Sequence, residues 1–190
     1  MHTHEGIRWP ADNPERKQWQ NPEAILNSID LKAGQTFIDI GCAGGFFTLP
    51  AARIVGPTGT VYAVDVDSRA IKSLEDTAAH EGLSNVKVIV GRGEDTVACD
   101  RCADIIYLGT VLHDFENPTQ VLQNAKKMVK PGGKLVNLDW KKEIMPVGPP
   151  VEKRFSKEKA IGLIESAGFT IESSEDSSPY HYLIISRPEP

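Results

Sequence analysis

The stretch "FIDIGCAGG" (37–45) carries an acid, Asp39, inside an apolar run, then three glycines, Gly41, Gly44 and Gly45, around Cys42 and Ala43. A second acid, Asp65, closes the later run "TVYAVDV". A glycine turn between a strand and a helix lets backbone approach a ligand, with the helix N–H groups facing it. A carboxylate at the end of the next strand can accept hydrogen bonds from both hydroxyls of a ribose. These residue types in this order point to a nucleotide-like ligand; the plainer alternative is a turn that only packs a helix against a sheet. The dinucleotide fingerprint G-x-G-x-x-G would need glycine at positions 43 and 46, where Ala43 and Phe46 stand. A nicotinamide-nucleotide-dependent oxidoreductase is therefore the second reading.

These groups act together only if the elements around them bring them to one edge. Residues 1–20 are polar and broken by Pro10 and Pro14, which reads as an arm with a short helix from Pro14 to Trp19. The domain proper is 21–190. Asn21-Pro22 is a capping residue before a proline at the first helical position, opening "PEAILNSIDL". "TFIDI" is a strand, and the helix "FFTLPAARIVG" follows the turn with Pro50 near its start. After "TVYAVDV" comes the helix "SRAIKSLEDTAAHEGL", with Ser68 as its cap. "VKVIVG", "ADIIYLG" and "KLVNLDW" are three further strands, "NPTQVLQNAKKMVKPGG" is a helix between the last two, and "SKEKAIGLIESAG" is one more helix. Strands that alternate with helices and are apolar on both faces predict parallel βαβ units. "FTIESSE" and "YHYLIIS" have no helix between them and predict an antiparallel pair. There is no repeat and no low-complexity segment.

In this order the motifs resemble the class I S-adenosylmethionine-dependent methyltransferases, from about residue 20 to the end. The first strand ends on an acid in "FIDIGCAGG" and the second in "VYAVDVD". A polar turn, "VGRGED", follows the third. The fourth runs into "LGTVLHDFENP", similar to the "LHH…ENP" stretch of the small-molecule members, such as the ubiquinone- and menaquinone-biosynthesis type. "MVKPGGKL" matches the family's K-P-G-G turn before strand five. The departure is Ala43, where many members carry glycine. The resemblance implies an α/β single-domain Rossmann-like fold: a seven-stranded, mostly parallel sheet with the last strand antiparallel and helices on both faces.

It also implies S-adenosyl-L-methionine as cofactor and a cofactor site of Asp39, Gly41, Cys42, Gly45, Asp65, Val66, Gly93, Glu94, Leu108 and Gly109. Asp39, Gly41 and Gly45 would surround the methionine moiety, Asp65 would bind the ribose and Val66 would lie on the adenine face. The turn Arg92-Gly93-Glu94 would meet the adenine edge, where the family often has Asp-Ala in place of Arg92-Gly93. The carbonyls near Leu108 and Gly109 would end strand four beside the sulfonium. Methyl transfer is an in-line displacement whose difficulty is mostly alignment, and a general base is needed only for a protonated nucleophile. His113 and Asp114, just past strand four, are the candidates for that base; packing under the arm is the other reading of His113. Asp139 and Trp140, after strand five, line the pocket or, for Trp140, belong to the core. Trp9, Arg16 and Trp19 of the arm either close over the site as a lid or dock on the surface.

The remaining features exclude more than they add. A formal net charge of −5 lacks the basic footprint of a nucleic-acid binder, and the basic residues from Lys141 to Lys159 are diluted by Glu143, Glu152 and Glu158. No apolar run approaches a membrane span and the N-terminus has no signal-like apolar core, so a cytoplasmic location is expected. Three cysteines do not make a disulfide framework. Cys99-x-x-Cys102 lacks a second pair for zinc and leads into a strand, so both read as incidental thiols. Cys42 reads as a small packing residue, His2 and His4 as adventitious metal binders at most, and no metal site is expected. The partners expected are a small-molecule acceptor (or a protein side chain), no nucleic acid and no membrane, with a homodimer as the assembly to test. A binding protein that keeps the cofactor fold without turnover is the non-catalytic alternative.

Overall fold

A computed structural model describes residues 14–190; His2, His4 and Trp9 lie outside the described residues. The chain runs α1 (Pro14–Trp19), α2 (Pro22–Ser28), β1 (Thr36–Ile40), α3 (Thr48–Val55), β2 (Thr60–Asp65), α4 (Ser68–His80), β3 (Val86–Val90) and β4 (Ala103–Gly109). After a 3-10 turn at Leu112–Asp114 come α5 (Pro118–Met128), β5 (Val129–Trp140), α6 (Lys157–Ser166), β6 (Phe169–Asp176) and β7 (His181–Pro188).

Capping chemistry sets several helix starts. The Asn21 side chain accepts from Ala24 N–H ahead of Pro22, and Asn117 accepts from Gln120 N–H ahead of Pro118. The cap of α4 is Asp67 and not Ser68: its carboxylate accepts from the N–H groups of Arg69 and Ala70, which leaves Ser68 as the first helical residue. Ile71, Leu74 and Ala78 then share the buried face of that helix.

The seven strands lie in the order β3-β2-β1-β4-β5-β7-β6. The pairs from β3 to β5 are parallel, while β7 runs antiparallel to both β5 and β6. The chain steps outward from β1 to β3 and returns to lay β4 on the other side of β1. That reversal opens a crevice beyond the carboxyl ends of β1 and β4. On one sheet face, α2 and α3 bury Phe37, Ile105, Tyr107 and Val136, and α4 buries Ala63. On the other face, α5 and α6 bury Ile38, Ile106, Leu108 and Ile184.

Two expectations change. The K-P-G-G turn is drawn into β5, which starts at Val129 and pairs irregularly with β4 between Ala103 and Ile105. Cys99 and Cys102 are not incidental free thiols but are joined in a disulfide, because a tight turn through Arg101 (φ +43°) brings their Cα atoms to 6.0 Å. Among the described residues no helix is long and apolar enough to cross a membrane.

Candidate active site

The glycine turn hangs on β2: the N–H groups of Gly41 and Cys42 both donate to Val64 O, at 2.8 and 3.1 Å. Gly41 (φ +79°) and Gly45 (φ +91°) are left-handed, and a Cβ at Gly41 would stand 2.5 Å from Val111 Cγ2. Neither position tolerates a side chain. Ala43 also holds a left-handed φ of +45°. Its N–H donates to Asp65 Oδ2 at 2.8 Å, while Asp65 Oδ1 accepts from Asp67 N–H at 2.9 Å. Asp65 thus fastens the strained turn to the end of β2. Strain of this kind persists only where surrounding contacts over-determine it, and it gathers at ligand sites.

Beneath the turn, Asp39 is buried and accepts a 2.6 Å hydrogen bond from Thr48 Oγ1, at the start of α3. Burial pushes its carboxyl up to about 7; Thr48 and Arg16 oppose this, and Asp65 adds to it. A cation placed beside Asp39 would restore its charge. Cys42 is buried, and desolvation, with Asp39 and Asp65 adding, pushes its thiol far above the ordinary range, so it is an inert packing residue.

Val66, just past β2, is 56% exposed at the crevice. Gly93 is buried, and a Cβ there would stand 3.0 Å from the Phe115 ring and 3.1 Å from Ile40. The Asn124 amide on α5 donates to Gly93 O at 3.2 Å and to Glu94 O at 2.6 Å, fixing the turn after β3. Glu94 accepts from Asn117 N–H at 3.3 Å, so its carboxylate is partly engaged in capping α5. At the end of β4, Leu108 is buried and Gly109 leads into Thr110, a further left-handed residue (φ +57°) whose N–H donates to Leu138 O at 2.6 Å.

The other side of the crevice is aromatic and contains a histidine–carboxylate pair. His113 Nδ1 lies 2.7 Å from Asp139 Oδ1, and both side chains are buried. Burial works against charging His113, but the hydrogen bond and charge of Asp139, with a contribution from Asp114, outweigh it and raise the imidazole above its usual value. Asp114 sits half exposed at the rim, 3.6 Å from His113 Nε2. The partner that orients the ring is therefore Asp139, and Asp114 flanks the opposite nitrogen. Trp140, next to Asp139, is buried, with His181 at 4.3 Å and Trp19 of α1 at 5.5 Å between ring centroids. Trp19 also stacks on His181 (5.5 Å, 17° between planes) and meets Tyr180 edge-on. His181 is held neutral, its pKa lowered to about 3 by burial and the nearby charges of Arg16, Arg154 and Lys141.

Thr48, Asn124, His181 and Arg154 are the residues that sequence reasoning missed. Arg154 is nearly fully buried, and its guanidinium donates to the carbonyls of Lys141, Glu143, Val147 and Pro149. It therefore shapes the loop after β5 that flanks Trp140. No motif marks it; in sequence it is one member of a mixed-charge run.

A family model described as a methyltransferase domain matches residues 31–173, and the chain belongs to that family. The chain is 29% identical over 117 residues to demethylmenaquinone methyltransferase of Geobacillus sp. (strain WCH70), covering 62% of this chain and 50% of the relative. It is 28% identical over 111 residues to nocamycin O-methyltransferase of Saccharothrix syringae, covering 58% of this chain and 40% of that protein. It thus spans about half the length of the curated relatives it matches. A solved structure of a SAM-dependent methyltransferase from Aquifex aeolicus superposes with a TM-score of 0.87 at 29% identity, covering 92% of this chain and 93% of the other.

Proposed function

We propose that the protein is an S-adenosylmethionine-dependent methyltransferase acting on a small, flat, hydroxylated acceptor. The observation that carries the reading is the strained glycine turn fastened through Ala43 to Asp65, above the buried carboxylate of Asp39. This pairing of acids suits the cofactor: Asp39 faces a cationic ammonium, whose charge relieves the cost of its burial, and Asp65 accepts from the ribose hydroxyls. Exposed Val66 offers an apolar surface to adenine, with the Gly93–Glu94 turn at the ring edge, and Leu108 and Gly109 end β4 beside the reacting centre.

When bound, the cofactor supplies a sulfonium-activated methyl group. The chain's own part is alignment and one proton. With Nδ1 held by Asp139, His113 offers Nε2 as the base that removes a hydroxyl proton from the acceptor, and the raised imidazole pKa stabilises the imidazolium that results. Asp114 beside Nε2 offers that proton a path to solvent. The aromatic group of Trp19, Trp140, Tyr180 and His181 supports a planar acceptor, in keeping with the ring-bearing substrates named for the demethylmenaquinone relatives.

The test is calorimetric titration with S-adenosylhomocysteine, followed by turnover with radiolabelled methyl donor against a panel of quinols and phenols. Binding followed by transfer to a hydroxylated ring supports the reading. Binding with no transfer to any acceptor would favour a non-catalytic cofactor-binding protein. Binding of a nicotinamide nucleotide instead would refute the proposal.

A further inference from the structure

Cys99 and Cys102 lie near the end of the loop 91–102, which joins β3 to β4, and their disulfide has no part in the chemistry above. The same loop begins with the Gly93–Glu94 turn at the crevice. Both cysteines are half-buried, and Asp100 and Arg101 between them are exposed, so the bond is open to an attacking thiolate. Cys42, the remaining cysteine, is buried. Among the described residues no cluster of three His, Cys, Asp or Glu side chains could hold a metal, which leaves thiol chemistry as the use for the pair.

The helix α5 holds this loop at both ends. At the disulfide end, Arg101 N–H donates to Lys127 O at 2.9 Å and Ala98 N–H donates to Met128 Sδ at 3.1 Å. At the cofactor end, the Asn124 amide donates to Gly93 O and Glu94 O. Lys127 joins the two, because its ammonium donates to Asn124 Oδ1 at 3.3 Å while its carbonyl accepts from Arg101. Arg101, Lys127, Asn124 and Gly93 thus form one hydrogen-bonded path from the disulfide turn to the turn after β3. Arg101 holds a left-handed φ of +43°, which a non-glycine residue keeps only under constraint. The disulfide that spans it supplies that constraint. Opening the bond lets Arg101 leave the left-handed region and withdraw its N–H from α5.

We propose that Cys99–Cys102 is a thiol–disulfide exchange site for a dithiol, and that its reduction loosens the Gly93–Glu94 turn and weakens cofactor binding. The proposal rests on the cofactor reading above and adds a redox control to it. In the exchange, one thiolate of the dithiol bonds to a cysteine sulfur as the disulfide breaks, and the freed cysteine takes a proton. The second thiol then displaces the other cysteine from the mixed disulfide. The protein gains two electrons and two protons, and the dithiol leaves as its own disulfide. Coupling between two sites is reciprocal, so a cofactor that prefers the tethered turn also protects the disulfide by the same factor.

The test is calorimetric titration of S-adenosylhomocysteine into the oxidised chain, the chain reduced with dithiothreitol, and the Cys99→Ser/Cys102→Ser double variant with and without dithiothreitol. Reduction should weaken binding to wild type about 3- to 30-fold. The double variant should match reduced wild type within about twofold and ignore dithiothreitol, which excludes Cys42 as the cause. Lys127→Met keeps the backbone carbonyl and removes the ammonium link, so it should shrink the difference between oxidised and reduced chains to within about twofold. In a buffer of dithiothreitol and its oxidised form, saturating S-adenosylhomocysteine should shift the ratio of disulfide to dithiol by the factor found in the titrations, counted as thiols per chain. Equal affinity of oxidised and reduced wild type overturns the proposal and leaves the cofactor reading standing. A dithiothreitol effect that survives in the double variant also overturns it. So does a reduced chain without a thermal transition, since the bond would then hold the fold and not the turn. A full redox difference in Lys127→Met overturns the path through α5. Failure of the oxidised wild type to bind S-adenosylhomocysteine removes the cofactor reading and this inference with it.

Discussion

Asp65→Ala is the perturbation that most sharply separates a ligand site from a packing turn. In the folded chain the carboxylate receives Ala43 N–H on Oδ2 and Asp67 N–H on Oδ1. Two lone pairs remain for ribose hydroxyls, each charge-assisted hydrogen bond being worth about 1.5–3 kcal/mol. Water at the open crevice replaces part of this, so the loss expected is about 2–3 kcal/mol, or about 30- to 150-fold in affinity for S-adenosylhomocysteine. The two lost backbone partners add about 0.5–1.5 kcal/mol each in stability, which lowers Tm by about 2–4 °C per kcal/mol in a chain of this size. Asp65→Asn keeps one acceptor oxygen and should fall between. The control at Asp67 must respect its capping of α4: Asp67→Ser retains the cap and should leave affinity within about twofold, whereas alanine would cost about 1 kcal/mol of stability. Calorimetric titration of the three variants, each confirmed folded by its thermal transition, gives the comparison. Wild-type affinity in Asp65→Ala would refute the reasoning, since the carboxylate would then serve the turn alone.

Ala43→Gly removes left-handed strain of about 1–2 kcal/mol and adds about 0.4–1 kcal/mol of unfolded-state entropy, so Tm should rise by about 2 °C, measured by calorimetry. Asp39 has a folded pKa of about 7 against an ordinary 3.8, so in the free protein it stays protonated while the unfolded chain ionises, and stability falls as pH rises across that window. S-adenosylhomocysteine, which needs the ionised form, should bind about eightfold more tightly at pH 7.5 than at pH 6, and Asp39→Asn should abolish that dependence in titrations at both pH values. His113→Gln should lower kcat by about 10²–10⁴-fold on a hydroxylated acceptor. Asp139→Asn should also move the acid limb of the kcat–pH profile to lower pH, because the raised imidazole depends on it; an unmoved limb would mean that another base acts. Thiol titration in denaturant should find one free thiol without reductant and three with it, as Cys42 and the Cys99–Cys102 disulfide require.

The sequence by itself determined the sheet and the strained turn that follows its first strand. Apolar runs of strand length, alternating with capped amphipathic segments, leave little choice of layer order, and the helix-free final pair had to return antiparallel. The placement of Asp39 and Asp65 near the ends of β1 and β2, and of Gly41 and Gly45 in a left-handed turn, was legible because strand ends and left-handed turns are local features that demand particular residue types. Asp67 displaced Ser68 as the cap of α4 by one residue, a boundary that local pattern fixes poorly when two capping residues are adjacent. What only the tertiary structure decided is how side chains remote in sequence meet. His113 and Asp139 are 26 residues apart and join through the pairing of β4 with β5. Trp19, Trp140 and His181 come from three separate parts of the chain. The Cys99–Cys102 bond depends on a backbone turn that C-x-x-C does not dictate. Arg154, one residue of a mixed-charge run, becomes the buried centre of a loop because four carbonyls converge on it. Such groupings arise from packing and desolvation, which act across the fold, whereas a sequence displays only the preferences that act along it.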